Sequence, residues 1–173
     1  AHSQPALFEA LKQAVRLRKL GSQAGWSLAH MASIYARMGE GDKSMECLDV
    51  MAKSVIMDSL MTTHNDWRRM GVTLEWEGEA FVQLDADFGI VNALQEMLFC
   101  WQKDALSILP ALPQRLTEGR VRGLVFPDGT VDIAWNSDGS VTVSVTASRD
   151  LDTSLLLCGR GDAVKCLDFK ADL

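Results

Sequence analysis

The sequence predicts an α+β protein with its helices first and its strands last, and three observations carry that expectation. Apolar residues recur at helical spacing through roughly the first hundred positions, and short runs rich in Val, Thr, Ile and Leu follow from about position 120, with Pro110 and Pro113 in between. Segregated helices and strands point to two structural units. The boundary is expected over 110–117, which gives a helical unit over 1–109 and a strand-rich unit over 110–173.

The first helix is expected over 5–20, where Leu7, Leu11, Ala14, Val15 and Leu20 fall three to four residues apart. Lys and Arg crowd its end, as suits the negative pole of a helix. A second is expected over 27–38, with Leu28, Met31, Ala32, Ile34 and Tyr35 as its apolar face, and Gly39-Glu40-Gly41 then breaks it. Asp42 is read as the N-cap of a third helix through Ser54, because its carboxylate can accept from the free amides of the first turn. Helix, short Gly turn and helix make an αα-hairpin.

No clean period runs through 58–83, a stretch crowded with His64, Trp67, Trp76 and several carboxylates. It reads as a long ordered loop, and loops of that length in compact domains tend to carry function. Within it Glu75, Glu77 and Glu79 alternate with Leu74, Trp76 and Gly78, which resembles an edge strand with a wet acidic face. A fourth helix is expected over 89–103, with Ile90, Val91, Leu94, Met97, Leu98 and Trp101 on one side.

Strands are expected over 120–126, 130–135, 140–147, 154–157 and 164–169. Pro127-Asp128-Gly129 and Ser137-Asp138-Gly139 mark tight hairpins, and the glycines over 159–161 mark another turn. Val141, Val143 and Val145 alternate with Thr142, Ser144 and Thr146, so one face is packed and one is wet. The result is a small antiparallel sheet or half sandwich.

Composition narrows the function. The 173 residues are 47% hydrophobic and 23% charged with a net charge of -6, which is ordinary for a globular protein. Scattered Lys and Arg leave no basic stripe for phosphates, so no nucleic-acid partner is expected. No apolar run is long enough to span a membrane. The four cysteines form neither a CxxC pair nor a cluster with His, so no zinc site is expected and they read as free thiols. No Walker or dinucleotide glycine pattern occurs, and no metal or organic cofactor is implied. Cys158 and Cys166, on adjacent expected strands, are the one pair that could meet.

The stretch from Phe81 to Gly89 concentrates the chemistry. Asp85 and Asp87 stand two residues apart among Phe81, Val82, Leu84 and Phe88, and would project to one side if the segment were extended. Inverting glycosidases hold acid and base roughly 6.5–9.5 Å apart on opposite sides of the sugar, so two acids on one strand face do not make the full pair. Asp87 reads as the cap of the helix from Gly89. Asp85 is left between a structural acid and a site residue.

The segment Gln83-Leu84-Asp85-Ala86-Asp87-Phe88-Gly89 resembles a motif of family 95 glycoside hydrolases, the inverting α-L-fucosidases and their α-L-galactosidase relatives. Gly25-Trp26-Ser27-Leu28-Ala29, His64-Asn65-Asp66-Trp67-Arg68, Gln95-Glu96-Met97-Leu98 and Leu109-Pro110-Ala111-Leu112-Pro113 match the family in the same order. The chain departs from the motif at Asp87, where the family has Asn.

The resemblance implies the last helical hairpins of an (α/α)6 barrel followed by a small antiparallel β-sandwich, in the C-terminal portion of a bacterial-type enzyme. It makes Asp85 the general base, while no segment matches the family's general acid, a Glu. From the residues themselves, His64 beside Trp67 reads either as lining a sugar pocket, its imidazole donating to a hydroxyl while the indole stacks on the ring, or as a loop histidine bonding backbone. The resemblance sets the helix after Trp26 at the barrel mouth, which leaves Trp26 as a pocket wall or a core indole. Expected partners are a glycan substrate and, through the helical face left uncovered, a second copy of the chain. The alternative is a non-catalytic carbohydrate-binding or helical scaffold module, which a missing acid would suit.

Overall fold

A computed structural model describes residues 4–75, 77–102, 105–151, 153–158 and 164–169. Among the described residues four helices, α1 (Pro5–Arg16), α2 (Gly25–Arg37), α3 (Gly41–Ser54) and α4 (Leu84–Leu98), precede seven strands, with a short 3-10 turn over Leu20–Ser22. The strands are β1 (Phe99–Gln102), β2 (Ala105–Ile108), β3 (Gly119–Phe126), β4 (Gly129–Trp135), β5 (Val141–Ala147), β6 (Thr153–Cys158) and β7 (Val164–Phe169). The expected α+β class is what is observed. By contacts the chain divides into one unit of residues 1–32 and 45–91, and another of 33–44 and 92–173.

In the first unit, α2 and α3 bury Leu28, Met31, Met51 and Val55 completely. Such side chains contribute roughly 1.5–3 kcal/mol each when removed from water. Small residues set how closely α2 and α4 approach, because a Cβ added at Gly89 would lie 2.6 Å from the Cβ of Ala29. The fully buried Ala29 and Ala86 belong to the same close contact region. In α1, by contrast, Val15 is buried while Leu7 and Leu11 face solvent.

In the second unit, β3, β4 and β5 form an antiparallel meander, and β1, β2, β6 and β7 form a four-stranded sheet in that order. The pairing of β2 with β6 is parallel, with Ala105 opposite Ser154 and Ile108 opposite Leu157. Both sheets feed one apolar cluster built on Phe99, Leu106, Ile108, Phe126, Val131, Ile133, Trp135 and Leu155. The indole of Trp135 donates to the Leu116 carbonyl at 2.9 Å, which satisfies its one polar group. On β5 the expected alternation holds, with the three valines half-buried and their neighbours exposed.

Four expectations about local structure are overturned. Helix α4 starts at Leu84 rather than Gly89 and ends at Leu98, where β1 takes over. The apolar period from Leu94 to Trp101 continued the helical pattern, but the β1–β2 register, Phe99 opposite Ile108 and Trp101 opposite Leu106, wins. Asp42 lies inside the first turn of α3, and its carboxylate accepts from the Gln114 amide at 2.7 Å rather than capping the helix. No strand forms at Glu75, Glu77 or Glu79, which are exposed in an irregular segment.

Trp76, Lys103 and the expected turn over 159–162 lie outside the described residues, as does the Cys166 side chain. Cys47, Cys100 and Cys158 are free thiols, and the β6–β7 register sets Cys158 opposite Val164 and Cys166 opposite Leu156.

Candidate active site

The N-terminal ends of α2 and α4 are tied together by residues 62–65. The Gly25 amide donates to the His64 carbonyl at 2.9 Å, the His64 amide to the Phe81 carbonyl at 2.8 Å, and the Gln83 amide to the Thr62 carbonyl at 2.8 Å. The Thr62 hydroxyl donates in turn to the Gln83 carbonyl. Gly25 is needed at this crossing, because a Cβ there would sit 2.5 Å from the Thr63 carbonyl oxygen.

Gln83 closes the arrangement from the other side. Its side-chain Oε1 accepts from the Trp26 amide at 2.9 Å, so one of the four unpaired amides that open α2 is satisfied by a residue 57 positions away in the chain. The same backbone network therefore holds Trp26, His64 and the turn that carries Asp85. Trp26 is 46% exposed and His64 half-buried.

Asp85 and Asp87 both fall in the first turn of α4. Two residues apart on a helix turns the side chains by roughly 200°, since each residue advances about 100°. The expectation that they project to one side is thus corrected: Asp85 is exposed, whereas the Oδ2 of Asp87 is buried and has no hydrogen-bond partner among the described residues. Asp87 is not the helix cap, because the helix has opened three residues before it. Carboxylates in this turn suit the positive pole of the helix.

Trp67 is held by contacts of its own. Its indole N–H donates to the Ile56 carbonyl at 3.1 Å, and the Arg68 guanidinium covers its ring at 4.5 Å. It lines a cavity of about 240 Å3 together with Asp66, Arg69 and Glu79. A neighbouring cavity of about 550 Å3 shares Asp66 and Arg69 and is lined by Glu75 and Glu77.

Asp66 builds this region, a role that sequence reasoning missed. Only 2% exposed, it accepts from the Arg68 amide at Oδ1 and from the Met70 and Val72 amides at Oδ2, each at 3.1 Å. The readable signal was an Asp followed by a turn through Gly71, the arrangement by which Asp side chains organise their own backbone. Gln83 was visible as a motif residue, but nothing local announced its reach to Trp26. Among the described residues no group of three or more His, Cys, Asp or Glu could hold a metal ion.

Two family matches define the class as glycoside hydrolase. Residues 1–98 match the glycosyl hydrolase family 95 catalytic domain, and residues 101–163 match the glycoside hydrolase family 95 C-terminal domain. The chain belongs to glycoside hydrolase family 95. Among curated proteins no relative matches it.

Proposed function

We propose that the chain is the C-terminal portion of an inverting enzyme that removes terminal α-L-fucosyl or α-L-galactosyl residues from glycans, with Asp85 as its general base. In this reading the helices are the last hairpins of an (α/α)6 barrel and the strands its β-sandwich. Asp85 takes a proton from a water that attacks the anomeric carbon on the face opposite the leaving oxygen. A general acid on the far side protonates that oxygen, which requires a gap of roughly 6.5–9.5 Å between the two carboxyl groups. Trp26, His64 and Trp67 line the sugar pocket.

The observation that carries the reading is an exposed Asp85 in a turn whose backbone is locked to Trp26 and His64. A general base needs a fixed backbone and an open face toward water. No segment of the chain matches the family's acid, so the 173 residues alone are expected to leave an aryl α-L-fucoside uncleaved. In an enzyme that also carries the acid, Asp85→Asn is expected to lower kcat by roughly 10²–10⁴. Near-normal turnover of that variant would sink the assignment. Proton NMR of the first product should show inverted anomeric configuration.

A second reading, a sugar-binding or scaffold module without turnover, is favoured by Asp87, whose sealed oxygen replaces an Asn of the motif. Glycan binding with no hydrolysis in the acid-bearing enzyme would select it. The exposed Leu84, Phe88 and Val91 on α4 support self-association of the chain alone. Light scattering that finds a monomer at all concentrations would exclude that.

A further inference from the structure

The strand-rich unit holds a cavity of about 280 Å3. Trp101 at the end of β1 and Phe126 at the end of β3 line it, together with Asp128, Arg149, Asp150 and Thr153. The walls are fixed to one another. The Ser148 amide and hydroxyl both donate to the Asp128 carbonyl, at 2.8 and 3.0 Å, and Arg149 Nε donates to Asp128 Oδ1 at 2.7 Å. A turn from one hairpin and the segment leaving β5 thus form a single rim.

Three features of the lining choose a ligand class. Trp101 is a large aromatic left 41% exposed, and an indole offers an apolar face with a polar edge. The Thr153 hydroxyl is buried without a hydrogen-bond partner among the described residues, although buried polar groups are nearly always paired. Finally, Arg149 is matched by Asp128, which among the described residues leaves Asp150 as excess negative charge at the rim and disfavours phosphates and sugar acids.

A ring with one apolar face and several hydroxyls fits all three. Its face stacks on the indole, adjacent hydroxyls donate to the carboxylates and accept from the guanidinium, and the sealed Thr153 hydroxyl gains a partner by turning toward the ring. The volume lies just below the ~300–1,000 Å3 usual for small-ligand sites, so it admits one sugar ring and not a chain. We propose that this cavity binds a single neutral monosaccharide unit, anchoring glycan on the strand-rich unit. The proposal does not depend on Asp85.

The test is titration of the isotope-labelled 173-residue chain with L-fucose, D-galactose and D-glucuronate, followed by amide and indole N–H NMR. A neutral sugar is expected to shift the Trp101 indole and Thr153 amide signals saturably, with a Kd on the order of 1 mM, and glucuronate is expected to bind at least about tenfold more weakly. Trp101→Ala should weaken the neutral sugar by at least about tenfold. Thr153→Val, which keeps the side-chain shape, should weaken it severalfold, and it decides the matter if Trp101→Ala fails to fold. Asp85→Asn should leave these shifts unchanged, so this site and the base assignment fail independently. No saturable shift with either neutral sugar, or equal affinity in Thr153→Val and the parent, overturns the proposal.

Discussion

The side chain of Gln83 caps the helix that begins at Gly25, its Oε1 accepting from the Trp26 amide at 2.9 Å. Capping usually comes from the residue just before a helix. Here it crosses between helices, so a residue two positions before Asp85 also sets the start of α2.

Removing that acceptor should cost about 1 kcal/mol, the usual magnitude for a lost cap. Gln83→Ala is expected to lower the urea midpoint by the corresponding amount. Gln83→Glu keeps an acceptor and adds a negative charge at a helix N-terminus, where it is favoured, so it should retain most of the stability. Equal midpoints for Gln83→Ala and the parent would show that water replaces the contact at no cost.

A larger effect is expected at Asp66. Its carboxylate accepts from three backbone amides in a site 2% exposed, and hydrogen bonds to a charged group contribute roughly 1.5–3 kcal/mol each before coupling. Asp66→Ala should destabilise by at least about 3 kcal/mol. Hydrogen exchange localises the loss: protection should fall at Arg68, Met70 and Val72 more than in α2. Uniform loss across the chain would mean that the loop has no independent stability.

The thiol of Cys47 gives a pH-dependent prediction. Burial, with the charge of Glu46 adding to it, pushes its pKa from 9.0 up to about 12. The unfolded chain therefore releases this proton first, and the folded state is favoured fully below pH 9 but loses that advantage as pH rises toward 12. Melting temperature should fall across this window, and Cys47→Ala should show a shallower fall than the parent. Identical slopes would mean that the buried thiol ionises as readily folded as unfolded.

Much of the architecture was legible because it is local. The break at Gly39 between α2 and α3, the two Asp-Gly hairpins, and the alternation from Val141 to Val145 each appear in a few neighbouring residues. What escaped depends on contacts distant in sequence. Helix α4 starts at Leu84 with Thr62 and Gln83 bonded across its entrance, and β1 ends the helical pattern because Phe99 to Gln102 have a partner strand. For the candidate site the sequence offered residue types. The geometry of the site was not legible, since the opposed directions of Asp85 and Asp87 follow from where the helix opens.

The parallel pairing of β2 with β6 also bears on how the chain is made. Residues 105–108 must wait for residues 154–157, while the intervening β3–β5 meander pairs only with its immediate neighbours. As the chain emerges during synthesis, the meander can assemble at once, but β1 and β2 remain a two-stranded ribbon, which is marginal by itself in water. The longer closure makes the four-stranded sheet the later event. Until β6 arrives, the open edge of β2 is the part of the nascent chain most in need of protection from other strands.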